Sequence, residues 1–371
     1  MTEIASSIHA AARQFDRVDT DECDRSRSRE ALVVAGLAAL LLIVFFLSLI
    51  VGSTWIPPAR VWAILRGASS VRDADAIVVE AIRLPRSVTA VLAGSSLGIA
   101  GLQMQTLFRN PLADPFALGV SAGASLGVAL LVLGSGLGAT ALFGATMGLA
   151  GDAALTAAAI VGASLVLGLV LAVSSRVASS TTVLILGLMF GYAVSAFVTV
   201  LVGATEPDRL QQWAAWGFGS FSGVTWQRLR LFGPLTLTGV LMASMTTKQL
   251  NALLLGEHYA RSMGVAVRRI RLVTMFGASL LGAVVTAFCG PISFLGIAVP
   301  HLCRGLLGTS DHRALVPAVV LLGGSIALLA QMVSLVPGSA GVLPLNAVTS
   351  LIGAPIVVVV LLRSRRGAFA S

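Results

Sequence analysis

The chain has 371 residues, of which 56% are hydrophobic and only 11% are charged. This composition excludes a soluble globular protein, because so few polar side chains could not cover its surface. A net charge of +9 would suit a nucleic-acid-binding protein. However, most Lys and Arg residues fall on one side of the predicted spans, so a membrane orientation explains the charge and no nucleic acid partner is expected.

Long apolar runs predict an all-α, polytopic membrane protein with ten transmembrane helices. A helix needs roughly 20 apolar residues to cross a bilayer, and the period-two alternation of barrel strands is not visible. The Gly-rich stretch 135–151 is predicted to be a loop. The predicted spans are 31–51, 87–108, 116–134, 153–173, 183–203, 229–246, 270–289, 291–307, 314–335 and 343–362.

The two ends of the chain are predicted to be cytoplasmic tails of a protein in the inner (plasma) membrane. Residues 1–30 are polar and charged, lack the apolar run of a signal peptide, and indicate a disordered or loosely helical N-terminal tail. The transmembrane domain then covers 31–366, and 367–371 form a C-terminal tail. The excess of Lys and Arg in alternate loops places both termini inside.

Two polar motifs flank the second predicted span. Arg83 and Arg86 lie at its outer end, where they could be snorkelling anchors or a cationic lip that binds a docking protein. Asn110-Pro-Leu-Ala-Asp-Pro115 lies at its inner end, where it could be a simple turn or a gate. Within this span, Gly94, Gly98 and Gly101 suit a close helix–helix contact.

Two longer polar stretches lie between spans. Residues 204–228 carry several Trp and indicate a segment at the outer membrane interface. Residues 248–271 form the longest predicted cytoplasmic loop. Apolar residues at helical spacing around Glu257 and Arg261 predict one amphipathic helix outside the membrane, ending at Gly264.

Several chemistries are absent from the sequence. Lys248 is the only lysine and is followed by Gln249, so the chain has no phosphate-binding loop for ATP. No carboxylate falls in a predicted span, which disfavours an ion-coupled transporter. His258, His301 and His312 lack protease spacing. We expect no enzyme activity, metal site or cofactor.

Together these motifs resemble the FecCD-type permeases of ABC importers for iron-siderophores, haem and cobalamin. The resemblance covers about 31–366, in the family's order. Its motifs are Arg83-Leu-Pro-Arg86, Arg109-Asn-Pro-Leu-Ala-Asp-Pro115, Leu118-Gly-Val-Ser-Ala-Gly123, Leu255-Gly-Glu-His-Tyr-Ala-Arg261, Gly290-Pro-Ile-Ser-Phe-Leu-Gly296, Val299-Pro-His301, Asp311-His-Arg313 and Leu351-Ile-Gly-Ala-Pro355.

The resemblance implies a type II ABC importer permease fold. It also implies four kinds of contact: two ABC ATPase subunits, a second permease copy (itself or a close homologue), a periplasmic substrate-binding protein, and membrane lipid. By similarity, three sets of residues have roles. Coupling to the ATPase would use Glu257, Ala260, Arg261 and Gly264 in the loop 248–271, called the coupling loop below. The inner gate would use Asn110, Leu112 and a loop of Ser179, Ser180, Thr181 and Thr182. Docking of the binding protein would use Arg83 and Arg86.

The expected cargo is an iron complex, either a ferric siderophore or haem, with cobalamin as the alternative. The pathway shows no obvious ligand-specific group. One departure from the family bears on docking: Ser334-Leu-Val-Pro337 stands where the cobalamin permease has an additional Arg, so the resemblance implies fewer cationic contacts with the binding protein. A secondary transporter or exporter that works alone is the competing class, and a membrane protease is a more distant one.

Overall fold

The computed structural model describes residues 28–52, 54–67, 73–133, 152–177, 179–335 and 343–368. The predicted loop 135–151, nearly all of the tail 1–30, half of 334–337 that marks the departure from the family, and the last residues of 367–371 lie outside this part of the chain. Within the described ranges the fold is helical and contains no strand.

The helices are numbered in chain order. They are α1 Ser28–Ile50, α2 Pro58–Leu65, α3 Ala74–Ile77, α4 Leu84–Phe108, α5 Val120–Val132, α6 Asp152–Ser174, α7 Ser180–Gly203, α8 Pro207–Gly217, α9 Trp226–Met245, α10 Thr247–Leu254, α11 Glu257–Ser262, α12 Val267–Cys289, α13 Leu295–Leu307, α14 His312–Ser334 and α15 Leu345–Ala368. A π-helical segment, Val78–Arg83, joins α3 to α4, and a 3₁₀ turn, Pro115–Leu118, precedes α5.

Each predicted span overlaps one of these helices. Among the described residues, five helices are long and apolar enough to cross a membrane: α1, α6, α7, α12 and α14. The number rises to six if α9 and α10, bent by 49° at their junction, form one span. Because α5 and α13 have only 13 residues each, the count of ten spans stays a prediction.

Helix α4 is the centre of the fold. Nearly every residue in its second half is buried, and it packs against α9, α12, α13 and α14. The predicted small-residue face is confirmed: a Cβ on Gly94 would lie 2.2 Å from the carbonyl oxygen of Gly323 in α14, and one on Gly101 would lie 1.7 Å from that of Gly296 in α13. The absence of side chains there allows backbone to approach backbone.

The apolar surface is unevenly covered. In α12, 78% of an apolar stretch of 18 residues is buried inside the protein, whereas in α7 only 17% of such a stretch is buried. Exposed residues on α7 include Leu188, Tyr192 and Phe197. Since these apolar side chains have no cover within the protomer, lipid or another membrane helix must cover them.

Candidate functional site

The turn after α4 is fixed by its own polar groups. Arg109 ends the helix with a left-handed backbone (φ 47°), which is uncommon for a residue other than glycine. The Asn110 side chain then accepts a hydrogen bond from the backbone N–H of Leu112 at 3.0 Å. This Asx turn directs the Leu112 side chain outward, where it is 42% exposed. We call 109–115 the gate turn.

Asp114 closes the gate turn. Its carboxylate accepts a hydrogen bond from the N–H of Ala117 at 2.9 Å and so caps the 3₁₀ turn that leads into α5. Burial raises the pKa of the Asp114 carboxyl to about 6, although the N–H groups of Ala117 and Phe116 oppose this shift. The turn is therefore held by a carboxyl group that titrates near neutral pH.

The predicted loop Ser179–Thr182 is largely helical, which corrects the expectation from the sequence. Ser179 is the N-cap of α7 and accepts a hydrogen bond from the N–H of Thr182 at 3.3 Å. Ser180, Thr181 and Thr182 form the first turn of α7. A serine N-cap satisfies an N–H group that would otherwise lack a partner, so the helix begins here.

The coupling loop contains two helices, not the single amphipathic helix predicted for it. The helix is interrupted between α10 and α11 at Gly256, which has a φ of 120°. Residues with a side chain rarely adopt this backbone conformation. Gly264 (φ 82°) ends α11: its N–H donates to Arg261 O at 3.0 Å, and that of Val265 donates to Ala260 O at 3.0 Å. This Schellman motif confirms Gly264 as the stop.

The residues predicted to contact an ATPase have different environments. The Glu257 carboxylate accepts from Arg271 at 2.8 Å and from Arg261, one helical turn away, at 3.4 Å. Ala260 is fully buried in a small apolar cluster with Leu250 and other residues of the loop. Ala260 therefore packs α11 against the rest of the loop. Arg261 in α11 and Gly264 just after it are exposed.

One cavity of about 1000 Å³ is lined by some of the predicted gate and coupling residues, while Thr182, Ala260, Arg261 and Gly264 do not line it. Its wall comes from the C-terminal end of α4, the start of α7 and the coupling loop. Arg109, Ser179–Thr181 and Glu257 all line it, whereas Asn110 and Leu112 lie next to it in the gate turn without lining it. Residues distant in the chain thus meet at one end of the helical bundle.

Two arginines that the sequence reasoning did not select hold this end together. Arg109 Nη2 donates to the carbonyl of Leu253 at the end of α10, 2.9 Å away. Arg271, only 5% exposed, connects α12 to Glu257 in α11. The signal in the sequence was position: Arg109 follows directly on a long apolar span, and a cation favours the carbonyl end of a helix.

At the opposite end of α4, Arg83 is a structural residue. It is 5% exposed, and its guanidinium donates to the carbonyls of Leu49, Ile50 and Thr54 at 2.8, 2.7 and 2.5 Å. Arg86 is half-buried, and its Nε finds no hydrogen-bond partner among the described residues. The two predicted docking arginines therefore differ: Arg83 caps α1, and Arg86 keeps unused hydrogen-bonding capacity.

Within the described residues, no group of three His, Cys, Asp or Glu side chains could hold a metal ion.

Comparison with known proteins is consistent across nearly the whole chain. The FecCD transport family matches residues 40–363. The vitamin B12 import system permease BtuC of Klebsiella pneumoniae subsp. pneumoniae is 37% identical over 340 residues, covering 91% of this chain and 95% of that protein. The proteins of the same name from Photorhabdus laumondii subsp. laumondii and Escherichia coli O9:H4 are 35% and 36% identical, covering 92% and 89% of this chain and 96% and 94% of theirs.

A solved structure has a similar fold. It is described as an inward-facing conformation of a metal-chelate type ABC transporter, and it superimposes with a TM-score of 0.77 at 27% identity. The match covers 90% of this chain and 99% of that one. The helical arrangement around α4 is therefore that of an ABC importer permease.

Proposed function

The chain belongs to the FecCD transport family of permeases, and from that membership we propose that it carries vitamin B12 across the inner membrane in an ATP-driven importer. The structural observation that supports this proposal is the cavity of about 1000 Å³ where the coupling loop meets the ends of α4 and α7. An ATPase that pushes on the loop would act directly on the elements that border the gate turn.

The choice of cargo replaces the expectation of an iron complex. The relatives compared above are all named vitamin B12 permeases, and none of these names refers to a siderophore or to haem. The similar structure is of a metal-chelate type, and vitamin B12 is itself a cobalt chelate. A ferric siderophore remains the cargo that the experiment must distinguish from vitamin B12.

We expect ATP hydrolysis to be supplied by separate subunits, because the chain has no phosphate-binding loop. Two ATPase subunits would contact α11 through its exposed residues, which include Arg261 and Gly264. Glu257 would orient Arg261 through their ion pair, and buried Ala260 would hold α11 against α10. A second permease copy or lipid would cover α7.

The outer end is proposed to bind a periplasmic binding protein. Arg86 is the better candidate for an ion pair with that partner, because its side chain is partly exposed, whereas Arg83 is buried. Arg83 would contribute indirectly by fixing the end of α1 beside it.

Reconstituted uptake tests the function. Proteoliposomes containing this permease with its ATPase subunits should accumulate radiolabelled vitamin B12 only with ATP and the binding protein present. A matched preparation with a hydrolysis-deficient ATPase is the control, and a labelled ferric siderophore is the competing cargo. Siderophore uptake without vitamin B12 uptake would reject the cargo, and uptake driven by an ion gradient alone would reject the importer.

A further inference from the structure

A series of side-chain hydrogen bonds connects the coupling loop to α4, the helix that leads into the gate turn. Asn251 in α10 contacts His312, the first residue of α14, with its Oδ1 2.7 Å from the ring Nδ1. The opposite ring nitrogen, Nε2, lies 2.9 Å from the hydroxyl of Thr106 in α4. His312 is 1% exposed and Thr106 6%. Three helices that are distant in sequence therefore meet at one imidazole ring.

The direction of each hydrogen bond follows from the neighbours. Asn251 Nδ2 donates to the Asp311 carboxylate, and Asn251 Oδ1 accepts from the backbone N–H of His312 at 3.0 Å. The amide orientation is therefore fixed, and the ring Nδ1 must carry the proton that it donates to Oδ1. In the neutral ring Nε2 is then an acceptor, so the single proton of the Thr106 hydroxyl goes to Nε2 at 2.9 Å, in competition with the carbonyl of Leu102 at 3.0 Å.

The surroundings favour a fixed geometry. Hydrogen bonds from the N–H of Arg313 and from Asn251 lower the pKa of the Asp311 carboxyl, although burial opposes this shift. An ionised Asp311 can only accept, which keeps Asn251 turned toward His312. Because His312 and Thr106 are both buried, loss of the hydrogen bond between them leaves the His312 ring nitrogen without this partner.

Two further contacts attach α4 and the residue after it to α10 and the residue before it, on either side of these hydrogen bonds. Gln103 Nε2 donates to Thr246 Oγ1 at 3.1 Å, and Arg109 donates to Leu253 O at 2.9 Å. Gln103 and Thr106 are three residues apart in α4 and lie close to one face of the helix, and Arg109 follows directly on its last residue. This end of α4 is thus attached at three levels: to Thr246 just before α10, to His312 of α14, and to Leu253 of α10.

We propose that Asn251, His312 and Thr106 form a coupling link that transmits movement of the coupling loop to the gate turn, with His312 as its positioning residue. The inference rests on the proposed function. Thr106 lies three residues before the gate turn, and the N–H of Asn110 is bonded to Gln105 O at 3.2 Å. A displacement of α10 would pass through the last turn of α4 to the gate turn. Helix α11 contacts α12 separately, through the ion pair between Glu257 and Arg271.

Thr106→Val tests the link, since valine keeps the shape of threonine and removes the hydroxyl. In the vesicles described above we expect stimulated ATP hydrolysis to continue. The transport ratio, the number of vitamin B12 molecules transported per ATP hydrolysed, should fall about fivefold or more, which is the scale of a typical coupling between sites. Thr106→Ser, which restores a hydroxyl, should recover the wild-type ratio. Asn251→Ala breaks the link from its other end and should lower the ratio similarly.

The matched control is Thr89→Val in the same helix. Thr89 is also buried, but its hydroxyl bonds only to the carbonyl of Pro85 within α4, at 2.7 Å. It should keep the wild-type transport ratio. A purely structural effect of Thr106→Val would lower hydrolysis and transport together, in proportion to the folded protein measured by size-exclusion chromatography.

Each result decides between the two proposals. If the wild type transports with ATP and either Thr106→Val or Asn251→Ala keeps its transport ratio, the coupling link is wrong and the proposed function stands. If the wild type shows no ATP-dependent uptake, the proposed function fails and the link fails with it. Should Thr106→Val not reach the membrane, Asn251→Ala gives the answer, because Asn251 is only half-buried.

Discussion

Arg83 joins the end of α1 to the start of α4. Helix carbonyls at a C-terminus have no partner within the helix, and a buried cation needs acceptors. Arg83 satisfies both needs by donating to Leu49, Ile50 and Thr54. Its position before a proline in an apolar chain could not show this, because the carbonyls that it caps belong to residues about thirty positions away.

Arg83→Ala should therefore destabilise the protein, while Arg86→Glu should weaken only the docking of the binding protein. Leaving the carbonyls of α1 without donors costs about 3 kcal/mol, which should lower the apparent Tm in detergent by several degrees. Arg86→Glu reverses a charge in a half-buried position and should raise the Kd for the binding protein about tenfold or more.

Thermal unfolding and binding-protein titration on the same preparations separate these effects. Arg86→Lys is the charge-preserving control and should keep most of the affinity. The opposite pattern, with a stable Arg83→Ala variant that fails to dock and an Arg86→Glu variant that docks normally, would reverse the two roles.

At the scale of helices, the sequence predicted the membrane helices better than the coupling loop. Long apolar runs identify helices because lipid leaves the backbone few alternatives. The coupling loop has no such constraint, and its apolar spacing continues through Gly256, where the backbone leaves the helical region. Ser180, Thr181 and Thr182 were predicted to be loop residues for a similar reason: the Ser179 cap begins α7 before the apolar run that defined the span.

The contact between α4 and α13 gives a prediction at this scale. A methyl group at position 101 would lie 1.7 Å from Gly296 O, so Gly101→Ala must force the two helices apart. Overpacking a core costs about 1–3 kcal/mol, and a clash with backbone should reach at least the top of that range. We expect a large loss of folded protein in size-exclusion chromatography.

Gly305→Ala in α13 is the matched control. It lies in open space with no heavy atom within 4 Å, and alanine favours an exposed helix over glycine by about 1 kcal/mol. That variant should be as stable as the wild type or more so. A Gly101→Ala variant that folds and melts normally would contradict the observed helix contact.

The whole molecule has two polar ends separated by apolar helices. The cavity, the gate turn and the coupling loop lie at one end, and Arg83 and Arg86 at the other. The sequence predicted this division from the order of the spans and the positive-inside rule, but it could not show that Ser179–Thr181 and Glu257 share one cavity. That meeting depends on packing between α4, α7 and α12, which spacing along the chain does not encode.

Orientation in the membrane is a prediction of the positive-inside rule. Ser262 in α11 and Ser222 between α8 and α9 are both exposed and provide a matched pair for cysteine labelling. With Cys23 replaced by Ser, and Cys289 and Cys303 buried, Ser262→Cys should react with an impermeant maleimide only in inside-out vesicles. Ser222→Cys should react only in right-side-out vesicles, and the reverse labelling would invert the topology.

The backbone contacts of α4 also restrict how a protomer can change shape. Gly94 meets Gly323 and Gly101 meets Gly296 without intervening side chains, so neither contact has rotamers that could rearrange to let one helix turn against the other. We therefore expect α4, α13 and α14 to move as one rigid body during a transport cycle. Deformation should concentrate in α7, which has the least support from its own chain, so the pathway would widen by tilting whole blocks.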